Sequence, residues 1–319
     1  MKVKEKYAVG VDLGGTNIKI GLVTQNGKII KQVSVPTEAT KGPKAVIENI
    51  KKGIYLLINN EKIVFEGIGI GCPGTVNPEK GTVQNPPNLP GWNKVNVGKA
   101  ISMEFEKLVY LENDANAAAI GEMIFGNGKN YRSFIMVTLG TGVGGGIVIN
   151  RRIYRGNYGA AGEIGHITIN YKGPKCNCGS FGCIEAYVGN RYLIKRVQQK
   201  LKNNNSILTN LVKNDFNLIT PKIIKEAADK GDDFAISVIN DTGEKLGAAF
   251  ASLTNVLDIA TYIVGGGVAG FGKPLFDSFR KSLVARVMAP NKSRIKVLSA
   301  RLKNEAGIKG ASALVFHGF

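Results

Sequence analysis

No stretch of this chain comes near the roughly 18 consecutive apolar residues that a membrane-spanning helix needs, so the sequence carries no sign of a membrane partner. Cysteine occurs four times, histidine twice and tryptophan once. Four cysteines, three of them close together, do not make the disulfide framework of a secreted domain. The opening MKVKEKYAVGVDLGG is basic and then apolar, but Asp12 interrupts the run before a signal-peptide core or cleavage site can form. Both absences point to the cytoplasm. Acidic residues are also scarce, 24 against 42 Lys and Arg, which leaves a net charge of +18. Nucleic-acid binding would need an arginine-rich arm or interleaved aromatics, and the lysines are instead scattered, so no nucleic-acid partner is expected. The charge then suits either the attraction of an anionic small molecule such as a nucleotide or a lysine-coated, solubilising surface.

What cysteine and histidine there is gathers in one place. GEIGHITINYKGPKCNCGSFGCIE, residues 162–185, holds His166, Cys176, Cys178 and Cys183 between Glu163 and Glu185. Thiolate and imidazole meet the needs of tetrahedral zinc, and four protein ligands leave no open position, so such a metal would be structural. Gly173, Gly179 and Gly182 supply the tight turns a small metal loop requires. Reduced, buried cysteines are the alternative. The metal would fix the two glutamates relative to each other, which suits a polyhydroxylated ligand.

At 319 residues the chain exceeds what one core usually supports, and two domains are expected. Residues 7–35 read as a three-strand meander with the glycine turn LGGTN. The exposed N–H groups of such a turn bind phosphate oxygens, Thr16 adds a hydroxyl, and Asp12 nearby calls for a cation, hence a magnesium nucleotide. A plain hairpin turn is the other reading. Residues 133–154 repeat the pattern, with SFIMVTLG and GIVINRRIY as strands around TGVGG. The GxGxxG match at 140–145 is followed by a β-rich run, not a helix, so it argues for a second phosphate-cradling hairpin instead of a dinucleotide fold.

Elsewhere the periods are ordinary. Apolar spacing predicts helices over 43–59, 190–203, 220–229, 232–254 and 306–316 and another after Pro274, with strands over 65–76, 259–267 and in RIKVLSA. Cys72 reads as a small buried hydrophobe. NPPNLPGW, 85–92, is a stiff loop that is either a structural turn or a sugar contact through Asn85, Asn88 and the Trp92 ring face. Asp114 stands where a strand gives way to an alanine-rich helix, as an N-cap, as a general base, or as both. Gly267–Lys273 nearly matches a phosphate loop, but Pro274 replaces the Ser or Thr that would hold magnesium, so a glycine turn beside adenine or ribose is the better reading.

DLGGTNIKIG (12–21), ENDANAAA (112–119), LGTGVGGG (139–146), GEIGH (162–166), CNCGSFGCIE (176–185) and GGGVA (265–269) together resemble the ROK family of sugar kinases, and within it the bacterial glucokinases. The resemblance runs over the whole chain. It implies an α/β, actin-like or hexokinase-like (ribonuclease H-like) fold of two domains with a central cleft that closes on the ligands, a zinc loop at 166–183, and a homodimer. The boundaries expected are 1–116 plus 304–319 for one domain and 117–303 for the other. It further implies that Asp114 is the catalytic base in ATP-dependent phosphorylation of a hexose 6-hydroxyl. Asn88, Asn113, Asp114, Glu163, His166 and Glu185 would bind the sugar, with His166 serving metal and sugar through its two ring nitrogens. Asp12, Gly14, Gly15 and Thr16, Gly140, Thr141 and Gly142, and Gly266 and Gly267 would bind ATP, with magnesium near Asp12. Glucose is the first acceptor expected, with mannose, N-acetylglucosamine and N-acetylmannosamine as alternatives, and polyphosphate as the alternative donor. The family also contains repressors with a helix-turn-helix ahead of DxGGT; eleven residues before Asp12 are too few for one, which disfavours that branch.

Overall fold

The computed structural model describes residues 5–58 and 63–318; the last residue of the helix expected over 43–59 lies outside the described residues. The chain forms two compact units. Residues 1–132, 146–162 and 301–319 make unit 1, and residues 133–145 and 163–300 make unit 2. This differs from the boundary expected after residue 116, because the helix Asp114–Phe125 packs along the closing helix Ala306–His317 and goes wholly with unit 1.

Unit 1 is built on β1 (Tyr7–Leu13), β2 (Asn17–Thr24), β3 (Ile29–Pro36), β4 (Ile68–Cys72) and β5 (Val109–Asn113), in the order β3-β2-β1-β4-β5. The first three form the antiparallel meander expected, while β4 lies parallel to both β1 and β5. One face is aliphatic: Val9, Val11, Ile68 and Ile70 pack with Val46, Ile50, Ile54 and Leu57 of the helix Pro43–Ile58. The opposite face of the central strands is glycine. A Cβ on Gly10 would overlap the Ile308 carbonyl, and one on Gly69 the Ala311 carbonyl, so the closing helix lays its backbone directly on the sheet. Gly310 likewise meets the Ala117 carbonyl of the neighbouring helix.

Two expectations for unit 1 fail. The single strand over 65–76 ends at Cys72; Gly74, with φ 84°, turns the chain, and Thr75–Asn77 joins Thr82–Gln84 and Val95–Asn96 in a small antiparallel sheet. Trp92 is 2 % exposed within the aliphatic core, so its ring is packing material and offers no face to a sugar. Cys72 is fully buried in the same core, as expected.

The second sheet is made of β6 (Phe134–Leu139), β7 (Val143–Ile149), β8 (Arg152–Ile153), β9 (Thr261–Gly265) and β10 (Lys296–Ser299), in the order β8-β7-β6-β9-β10, with β6, β9 and β10 in unit 2. β9 runs parallel to β6 and β10. The chain passes back into unit 1 inside β7, after Gly145. The continuous strand read from GIVINRRIY is instead broken at Asn150 and Arg151, whose φ values of 52° and 61° make a two-residue hairpin turn between β7 and β8. The later helices run Asn190–Leu201, Pro221–Asp229, Asp233–Leu257 and Lys273–Arg286. Thr220 and Asp232 cap two of them, each side chain accepting a backbone N–H of the first turn. The stretch resembling a phosphate loop is a short 3-10 turn, Val268–Phe271, and Pro274 sits in the first turn of the helix behind it. No helix among the described residues is long and apolar enough to cross a membrane.

Candidate functional site

In unit 1 the candidate residues collect at the ends of β1 and β5. Asp12 is the penultimate residue of β1, paired with Lys19 on β2 and Gly71 on β4. Its carboxylate lies against the Cα of Gly307, where a Cβ would sit 2.5 Å from its Cγ. Burial raises the Asp12 carboxyl above its ordinary range, and the nearby Lys19 ammonium opposes that only partly. The turn after it is closed by Gly14 N–H donating to Asn17 O at 3.1 Å. Thr37 ties it down, donating its hydroxyl to Gly14 O at 2.7 Å and its N–H to Thr16 O at 2.9 Å. Thr16 itself is exposed, as is Asn88, whose Cβ stands 3.0 Å from where a Cβ on Gly15 would be.

The strand-to-helix junction at 112–116 assigns its roles differently from one reading of the sequence. Asn113, not Asp114, is the N-cap: its Oδ1 accepts from Ala115 N–H at 3.0 Å and Asn116 N–H at 3.2 Å. Its Nδ2 donates to Gly74 O at 3.2 Å. Asp114 is the first residue of the helix and is exposed, with Oδ1 accepting its neighbour's Ala115 N–H at 2.8 Å. A one-residue offset thus relieves Asp114 of capping. Beneath it, Glu112 is 2 % exposed and fully engaged. Arg155 grips Oε2 with Nε at 2.9 Å and Nη2 at 2.6 Å, and Oε1 accepts from Asn113 N–H and Asn116 Nδ2, both at 3.0 Å. Sequence reading missed Arg155; the available signal was a glutamate in a buried strand, which demands a cation.

In unit 2 the cysteines and His166 converge. One ligand atom from each of His166, Cys176, Cys178 and Cys183 lies within 4.8 Å of all the others. Cys178 Sγ and Cys183 Sγ are 3.7 Å apart, and Cys176 Sγ is 3.8 Å from His166 Nδ1. A tetrahedral ion with metal–sulfur bonds of about 2.3 Å would set its sulfurs about 3.8 Å apart, so the Cys178–Cys183 separation is that of a metal pair and the four residues fit a metal. Positive φ at Gly179 (94°) and Gly182 (68°) makes the turns, and Gly173 passes where a side chain would strike the Tyr187 hydroxyl. Burial pushes the Cys183 thiol up to about 12 and raises Cys176, whereas the Ser180 backbone N–H holds Cys178 below the usual thiol range. The buried pair therefore ionises readily only against a cation.

The carboxylates flank this cluster. His166 Nδ1 faces the sulfurs while Nε2 faces Glu163 Oε2 at 3.9 Å, and the Glu163 side chain is 63 % exposed. Glu185 Oε1 lies 3.8 Å from Cys176 Sγ, and its Oε2 accepts Val143 N–H at 2.9 Å. That bond joins the cysteine loop to the turn Gly140–Gly142, itself closed by Gly140 N–H donating to Gly142 O at 3.0 Å. Thr141 is exposed, and so are Gly266 and Gly267 at the end of β9.

The profile of the ROK family matches residues 8–317. A glucokinase of Thermotoga maritima is 34 % identical over 307 residues, covering 96 % of each chain. A xylose repressor of Caldicellulosiruptor bescii is 31 % identical over 312 residues, spanning 96 % of this chain and 77 % of the repressor. Among solved structures, a ROK family glucokinase from Streptomyces griseus in complex with glucose and AMPPNP matches with a TM-score of 0.86 at 34 % identity, over 98 % of this chain and 100 % of that one. The mixed α/β, actin-like or hexokinase-like fold expected from the motifs is the fold found.

Proposed function

Because this chain belongs to the ROK family, we propose that it is a cytoplasmic hexose kinase, moving the γ-phosphoryl group of ATP to the 6-hydroxyl of a hexose, with glucose as its first acceptor. The observation that carries the reading is Asp114, exposed at a strand end and spared from capping by Asn113. A carboxylate so held can accept the hydroxyl proton as that oxygen attacks phosphorus. Likeness along nearly the whole chain to glucokinases supports the choice of acceptor.

Phosphoryl transfer leaves little covalent work to a protein, so the remaining residues align and neutralise. Asn88, Asn113, Glu163, His166 and Glu185 bind the sugar hydroxyls; Asn113 has one amide hydrogen left for this after capping and bonding Gly74. Gly14, Gly15 and Thr16 with Gly140, Thr141 and Gly142 cradle phosphates, and Gly266 and Gly267 border the adenosine. Asp12, disfavoured as a bare anion where it lies, would hold the magnesium that accompanies ATP indirectly, through water. His166, Cys176, Cys178 and Cys183 hold zinc, which when bound supplies structure and no open coordination site. The expected assembly is a homodimer.

The test is ADP release measured across hexoses and N-acetylhexosamines, with polyphosphate as a second donor and zinc measured on the same sample. Glucose-dependent release supports the reading, and no release with any sugar ends it. The likeness to the xylose repressor favours one further reading, a sugar-responsive regulator. It predicts tight sugar binding with no ADP released.

A further inference from the structure

The glycine turn of unit 2 has a second geometric role. Three stretches far apart in sequence meet at the backbone of one residue, Val143. Its N–H donates to Glu185 Oε2, and its carbonyl lies where a Cβ on Gly165 would overlap it. A Cβ on Gly142 would overlap Glu185 Oε2, and one on Gly189 would sit 3.2 Å from both the Glu185 Cγ and the Gly142 Cα. Gly142 and Gly189 thus form the two sides of a slot that only a bare backbone leaves open, and the Glu185 carboxylate fills it. By contrast, a Cβ on Gly140, two residues earlier in the same turn, would meet nothing within 4 Å.

From this we infer that Gly142 is also a positioning residue for Glu185: its lack of a side chain serves the sugar side of the reaction, while its backbone stays available to the phosphates. The inference rests on the sugar-binding role proposed above for Glu185. The turn then has two ends with different tasks: Gly140 and Thr141 remain open toward a phosphate, while Gly142 and the Val143 N–H set the angle at which Glu185 meets a hydroxyl. A carboxylate that is held before the ligand arrives loses little freedom on binding. The same bond fixes Glu185 against Cys176, so the turn and the cysteine loop hold the carboxylate from opposite sides.

Gly142→Ala tests this. The new methyl meets the tip of a flexible side chain, so the turn survives and Glu185 swings away. With zinc-loaded full-length protein, titration calorimetry should show glucose affinity falling at least ~10-fold, the loss expected for a misplaced charged hydrogen-bond partner. Affinity for AMPPNP with magnesium should stay within about twofold, because Gly142→Ala keeps the backbone N–H of the turn. In a Glu185→Ala background Gly142→Ala should cost no further glucose affinity, because its effect acts through that carboxylate. Losses that add, or nucleotide affinity falling before sugar affinity, overturn the inference. If Gly142→Ala does not fold, exchange of the Val143 amide hydrogen decides: at least ~10-fold faster in Glu185→Ala and near wild type in Glu185→Gln supports the slot, and equal rates in both overturn it. Wild-type protein that binds no hexose removes the sugar-kinase reading, and this inference with it.

Discussion

At the scale of single residues, the position of Asp114 leaves its carboxylate to the reaction and the capping to its neighbour. Asn113 caps the helix, so replacing Asp114 should leave the helix intact. Asp114→Asn is expected to lower kcat at least ~10²-fold, the range of a general base, with glucose affinity changed less than about threefold. Steady-state kinetics with calorimetric binding read both numbers, and near-normal turnover would remove Asp114 from the mechanism. Asp12 gives a prediction about stability and pH. Burial raises its carboxyl in the folded chain, so the folded state resists ionising it more than the unfolded chain does. That penalty is absent below the ordinary carboxylate range and complete once pH exceeds the raised value. Asp12→Asn should therefore raise Tm near pH 8, without nucleotide or magnesium, and the gain should shrink toward zero as pH falls to about 4. A gain that ignores pH, or a loss, contradicts the assignment. The same variant should lose activity, the usual exchange when a strained functional group is made comfortable.

At the scale of elements, the buried pair between Glu112 and Arg155 holds β5 to the segment after β8. Arg155→Ala leaves a carboxylate without its cation in the interior and should cost about 3 kcal/mol, the lower end for one half of a buried pair because the Arg155 side chain is 27 % exposed. Adding Glu112→Gln should restore part of that; denaturant melts of both variants check it. For the cysteine loop, Cys178→Ser should lower bound zinc from about one ion per chain to near zero by elemental analysis, while Cys72→Ala, in the core of the other unit, keeps it. Zinc retained in Cys178→Ser contradicts the four-ligand set.

Most of these elements are legible in the sequence because their causes are local. Alternating or continuous aliphatics announce β1, β2, β4 and β6, and the cysteine spacing announces the loop. What escapes is set by distance or by a single-residue offset. Asn150 and Arg151 adopt positive φ without a glycine to signal it. Asn113 and Asp114 are both acceptable caps, and only the helix start decides between them. Trp92 is buried because the loop folds back so that Asn85 N–H bonds its carbonyl. The Glu185 bond to Val143 spans 42 residues, and no pattern in either stretch marks the other.

At the scale of the whole molecule, unit 1 is sewn from three stretches of chain and unit 2 from two. Unit 1 depends on its last stretch: Leu302 N–H donates to the fully buried Glu122 at 2.7 Å, and the helix Ala306–His317 covers Gly10 and Gly69. A chain ending at Ala300 should therefore lose protection of β1 and β4 in hydrogen exchange while unit 2 keeps its zinc. Loss of both units together would show that they fold as one. The glycine floor beneath that helix also has a consequence for synthesis. The first strands leave the ribosome almost the full length of the chain before the helix that shields them, an interval on the order of 15 to 60 s at usual rates of elongation. Throughout it, one side of the nascent sheet is bare peptide, open to chaperones and to stray strand edges alike.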